Sequence, residues 1–182
     1  MRIPATTVRR IALASALVIC LVAAFTVMRL SHGDVIDSVW YYDLNAGKLF
    51  TGPYAAAPPI AAPSGDYRGA DAEDLDHLAG VVAIVVRPKA GGTAGSSDKQ
   101  IVYLQRYTRE TRPLRQRQMA DERLAPDEEG KVLGGLRVAV PPEQPDQTVT
   151  WHTLGSREGK SIMARYDQLM GSGKVELDLP GD

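Results

Sequence analysis

"GVVAIVV" (residues 80–86) and "IVYLQRY" (residues 101–107) decide the fold of this 182-residue chain. The first is a short run rich in β-branched side chains, bounded by glycine and proline, and it reads as a central strand. Between the two runs lies "RPKAGGTAGSSDKQ" (residues 87–100), a loop by its glycine and serine content. The second run is then most simply an antiparallel partner of the first.

Upstream, Val39–Tyr42 and Lys48–Thr51 flank "DLNAG" (residues 43–47), in which Asn45 and Gly47 tolerate positive φ. This predicts a β-hairpin, with Trp40, Tyr42 and Phe50 stacking across it. Residues 31–52 are read as a juxtamembrane segment plus this hairpin. A Pro/Ala-rich strap over residues 53–66 follows, extended because its prolines forbid helix and central strand. It either laces over the domain or spaces it from a membrane. "DAEDLDHLAG" (residues 71–80) predicts a short helix or turn.

Downstream, the polar segment 108–130 predicts one surface helix or two short ones. Lys131–Val140 reads as a buried strand with a bulge at Gly134 and Gly135. "TVTWHTL" (residues 148–154) alternates Val149, Trp151 and Thr153 with Thr150 and His152, as a strand does. Ser156 is a candidate N-cap for a helix carrying Ile162, Met163, Tyr166, Leu169 and Met170 on one side and ending at Gly171. "KVELDL" (residues 174–179) is an edge strand or an ordered tail. Residues 67–182 are therefore expected to form an α+β domain, an antiparallel sheet of four to five strands with a C-terminal amphipathic helix.

The first thirty residues have another character. Arg2, Arg9 and Arg10 precede "IALASALVICLVAAFTVM" (residues 11–28), an uncharged run close to the ~20 residues that span a bilayer. It predicts one N-terminal transmembrane helix, a signal anchor over residues 11–30 in contact with the lipid bilayer, behind a cytoplasmic tail of residues 1–10. Cleavage after Ala24 is the competing expectation. The arginine bias points to an inner-membrane, single-pass protein with a cytoplasmic N-terminus and an extracytoplasmic C-terminal domain. Cys20 follows Ile19, not a small residue, which argues against a lipoprotein site, and the helix carries no acid of the pilin kind.

Four of the 21 basic residues (Arg2, Arg9, Arg10, Arg29) and none of the 22 acids precede residue 31, so the remainder is about five charges negative. Nucleic acid is thereby an unfavourable partner. The single cysteine, Cys20, excludes a disulfide framework or thiolate metal site in the domain.

Trp40, Tyr41, Tyr42, Gly47, Thr51 and Gly52 have the spacing of the choline- and glucan-binding repeats of bacterial surface proteins, which the hairpin resembles. That resemblance implies a glycan or cell-wall ligand, but such ligand cages are built from aromatics of adjacent repeats and only one copy stands here. "YYDLNAGKLF" (41–50), "PPIAAPSG" (58–65), "GVVAIVV" (80–86) and "SREGKSIM" (156–163) together resemble a set of small, N-terminally membrane-anchored bacterial proteins of the planctomycete type. That resemblance implies no particular activity.

Other motifs favour ordinary structural readings. "GSREGKS" (residues 155–161) ends like a phosphate loop, but position 154 is leucine where the loop needs glycine, so it reads as a capped strand-to-helix turn. Asp71, Glu73, Asp74, Asp76 and His77 match no calcium loop and read as a solvated, helix-complementing cluster. Ser156 or Ser161, His152 and Asp167 are close in sequence but lack a nucleophile elbow. No catalytic residue, cofactor or metal ligand is therefore expected. Arg106, Arg109, Arg112 and Arg115, at every third position, form a candidate basic ridge. The candidate binding surface is Trp40, Tyr42, Phe50, Arg109, Arg112 and Arg115. The expected role is structural or protein-binding in the cell envelope, with an envelope protein as partner. A glycan-binding module or a small envelope hydrolase are the alternatives.

Overall fold

The structure is a computed structural model that describes residues 37–89, 99–144 and 147–180. Seven strands make one antiparallel sheet. In chain order they are β1 (Ser38–Asp43), β2 (Lys48–Pro53), β3 (Gly80–Pro88), β4 (Gln100–Tyr107), β5 (Leu136–Ala139), β6 (His152–Thr153) and β7 (Val175–Leu177). The helices are α1 (Arg112–Met119), α2 (Pro126–Gly135) and α3 (Arg157–Gly171). The sheet order is β2-β1-β3-β4-β5-β6, and β7 pairs with the far end of β3 on the side that β1 occupies at the near end.

The expected β3–β4 pair is there, antiparallel and central. A register shift after Ile84 lets Val102 and Tyr103 both pack with α3, while Ile101 and Leu104 pack on the opposite side. One face of the sheet thus holds Tyr42, Val81, Ala83, Leu104 and Ala139, covered by Tyr67, Leu75 and Val149. The other face meets Ile162, Met163, Tyr166, Leu169 and Met170 of α3, the apolar stripe expected of that helix. Ser156 caps α3 as expected, its Oγ accepting the Gly159 amide at 3.0 Å. Gly159 is needed for close approach, because a Cβ there would collide with the Thr153 carbonyl.

Several expectations are corrected. Among the described residues there are seven strands, not four to five; besides the C-terminal helix α3 there are two short helices, α1 and α2, starting within the 108–130 segment where one or two surface helices are expected. Also among the described residues, no helix is long and apolar enough to cross a membrane; the expected transmembrane segment, residues 11–30, and the tail before it lie outside those residues. Lys131–Gly135 is not strand but the end of α2, whose start is fixed by Pro126 at its first position and by Glu128, which accepts the Ala125 amide at 3.0 Å. Strand β5 is only the four residues beyond it. The aromatic stacking is also shifted: Phe50 faces Tyr41, with rings 5.6 Å apart, while Tyr42 faces Leu49 and Trp40 faces Thr51.

The strap laces over the domain. Ile60 bridges Gly80, Pro58 O accepts the Tyr107 amide at 3.1 Å, and Gln116 bonds both Ala55 and Ala57. Its far end is pinned by Asp43, buried at the hairpin turn. Asp43 Oδ1 accepts the amides of Asn45 and Ala46 and, at 2.6 Å, the Ser64 hydroxyl; Oδ2 accepts the Ser64 amide. Asn45 Nδ2 donates to Ser64 Oγ and Asp66 O, so the "DLN" and "PSG" stretches are two halves of one hydrogen-bonded corner. Asp43→Ala is expected to lower stability by about 2–4 kcal/mol, because it removes a buried acceptor of four hydrogen bonds that ties the turn to the strap. Urea unfolding checks this; a change below about 0.5 kcal/mol would contradict the pinning role.

Candidate functional site

Where β4 ends, the chain turns through Thr108–Thr111 into α1, and α2 returns to start β5 beside β4. This corner encloses a cavity of about 610 Å³ whose walls include Asp74, Arg106, Arg109, Glu110, Lys131 and Arg137. Thr108 and Thr111 share a hydroxyl hydrogen bond of 2.9 Å on its wall. Gly135 lies against Thr111 so closely that a Cβ there would collide with the threonine side chain. That glycine therefore sets how tightly α2 closes the corner.

Arg106 is the innermost cation, 5% exposed. Its guanidinium lies 4.8 Å from the Trp151 ring, donates to Asp74 O at 3.3 Å and approaches Asp71 Oδ2 at 3.6 Å. Burial pushes its pKa down, and Asp71 and Asp74 pull it back up. Arg109 and Arg112 both pair with Asp76, at 2.8 and 2.9 Å. Glu73 and Asp74 are exposed in the first turn of a short 3-10 helix, as expected of a solvated cluster, but Asp71 and Asp76 serve as the counter-charges of three arginines. Among the described residues, buried side-chain polar atoms without a hydrogen-bond partner gather at this corner: both Asp71 oxygens, Arg106 Nε, Arg112 Nη1 and Trp151 Nε1.

Of the six sequence-predicted surface residues, only Arg109 lines this cavity. Arg112 stands beside it through Asp76, and Arg115 lies over the Tyr107 ring at 5.8 Å and bonds Gln118. Tyr42 is buried in the core and Phe50 stacks on Tyr41. Trp40 donates from Nε1 to Asp178 at 2.9 Å and has Lys99 4.4 Å from its ring centre. The carboxylate of Asp178, 2% exposed, also meets Lys99 at 2.9 Å and Arg87 at 3.4 Å. The hairpin aromatics therefore act within the fold and do not join the arginines in one surface.

Sequence reasoning missed Arg137, Lys131 and the pairing of Arg106 with the acidic segment. A usable signal was there, since an arginine in a mostly apolar strand such as "IVYLQRY" is buried only with partners. The Ser156 hydroxyl is bonded to Thr153 O and the Gly159 amide, which ties it to the helix cap. Among the described residues no group of three or more His, Cys, Asp or Glu could hold a metal ion.

Comparison with known protein families, curated proteins and solved structures gives no match. The resemblances drawn from the hairpin and strap therefore stand on those residues alone.

Beside this corner, Tyr67 has its pKa pushed up to about 12, by burial first and then by the Asp71 charge. Burial likewise lifts Tyr41 and Tyr103 to about 12. A phenol whose folded pKa is raised contributes stability that is complete below its unfolded pKa and is lost as pH climbs towards the folded value. Unfolding free energy should therefore fall between pH 10.0 and about 12. Urea midpoints measured across that window check this, and a flat profile would contradict it.

Proposed function

We propose that this chain is a non-catalytic protein-binding domain that docks an acidic segment of its partner in the cleft between β4, α1 and α2. The observation that supports this reading is the charge around the cavity: Arg106, Arg109, Lys131 and Arg137 face Asp74 and Glu110. A locally positive cleft in a chain that is negative beyond residue 30 attracts acidic segments and orients them. Arg109 is exposed, as are both members of the Lys131–Asp127 pair, and exposed pairs of that kind are worth only about 0–1 kcal/mol. A partner's carboxylates can replace them at little cost. Leu133, 69% exposed on α2 near the rim, adds an apolar contact. The proposed setting is the cell envelope, on the strength of the arginine-led N-terminal composition.

Fluorescence anisotropy with a labelled hexaglutamate peptide tests the reading. Binding should weaken as salt rises, and the double variant Lys131→Glu, Arg137→Glu should lose at least about tenfold in affinity. Equal affinity of the variant and the parent protein would sink the proposal.

A further inference from the structure

The inner end of the cleft holds a pairing that sheets avoid. Arg106 of β4 and Arg137 of β5 are directly opposite each other in the antiparallel register, and both line the cavity. Directly opposed residues project from the same face, where like charges repel and destabilise the pair. Arg106 is 5% exposed while Arg137 is only partly buried, and the Arg137 charge adds to burial in disfavouring the ionised form of Arg106.

Asp71 and Asp74 each offset more charge at Arg106 than Arg137 adds, so the charge left without a carboxylate is chiefly that of Arg137. Asp71 reaches Arg106 no closer than 3.6 Å, and among the described residues Arg106 Nε has no hydrogen-bond partner. Arg137 donates from Nη1 to the carbonyls of Gly134 and Leu136, at 2.7 and 3.1 Å, and pairs with no carboxylate among the described residues. Two adjacent guanidinium groups are best balanced by a compact group bringing two negative charges and several acceptor oxygens. A carboxylate brings one charge; a phosphate monoester brings about 1.5–2 and matches the planar guanidinium fork.

We propose that Arg106 and Arg137, with the Thr108 and Thr111 hydroxyls on the wall, form a subsite for one doubly charged tetrahedral oxyanion, either inorganic phosphate or the phosphate of a monoester. The inference shares its cleft with the docking reading but needs no protein partner, so the two can fail separately.

The test titrates the full-length protein with sodium phosphate, and in a second arm with phosphoserine. Chloride holds the ionic strength constant, and calorimetry and the nitrogen–proton resonances of the arginine Nε–H groups report binding. Saturable binding with a shift of the Arg106 resonance is expected. Arg137→Gln should weaken it by at least about tenfold with an unchanged circular dichroism spectrum, and Arg137→Lys, which keeps the charge and loses the fork, should fall between. Tighter binding of phosphoserine than of phosphate would support a monoester ligand, and equal binding would support the free ion. A non-saturating response shared by all arginines, or an unchanged affinity in Arg137→Gln, would overturn the subsite. Phosphate binding without hexaglutamate binding would leave the subsite standing and remove the docking reading; the reverse pattern would do the opposite.

Discussion

The buried guanidinium of Arg106 is the interaction on which this corner of the molecule depends. It leaves β4 on the face that carries Leu104 and Ala139, lies against Trp151, and holds the turn at Asp71–Asp74 through a carboxylate and a backbone carbonyl. Three segments remote in sequence thus meet on one cation. Removing one partner of such a buried charge costs about 3–5 kcal/mol, far more than a surface ion pair contributes. The same burial that makes Arg106 structural places a permanent positive charge at the base of the cleft, so architecture and the proposed docking chemistry share one residue.

Two carboxylates have comparable structural roles elsewhere in the sheet. Asp43 closes the hairpin turn onto the strap, and Asp178 sits where β7 and β1 meet the same side of β3. The latter receives the Trp40 indole and two cations. The apolar core is divided into clusters, one beneath Tyr67, Leu75 and Val149, one under α3, and a third of Tyr107, Leu124 and Val132 beside α1 and α2. Apolar burial drives the collapse without direction, whereas these polar contacts specify which strand end meets which segment. The aromatic hairpin belongs to this scheme: its side chains pack or bond inward, which leaves the cationic corner as the better-supported surface for a partner.

Much of the sheet was legible where one property dominated a segment. The β-branched run of β3 and the apolar run of β4 could only be strands, and the helical spacing from Ile162 to Met170 behind Ser156 marked α3 and its buried side. Segments with two competing patterns were misread. "KVLGGLRVAV" looks like a bulged strand, but Pro126 and Glu128 start a helix upstream that carries through Gly135. The hairpin register slipped by one because four residues, Leu44–Gly47, separate the strands, which sets Tyr41 opposite Phe50. The site was less legible than the fold. Its positive charges come from β4, the turn after it, α2 and β5, and only the sheet register brings Arg106 beside Arg137. The regular spacing of Arg106, Arg109, Arg112 and Arg115 suggested a ridge, yet the first is on a strand and the third opens a helix, so they do not share one face.

The central claim is that a partner engages the corner built on Arg106 and not the aromatic hairpin. Hydrogen–deuterium exchange of the full-length protein, with and without the hexaglutamate peptide, tests it most directly. Slowed exchange confined to residues 106–112 and 131–137 is the predicted result. Protection centred on residues 40–52, or none anywhere, would contradict the account.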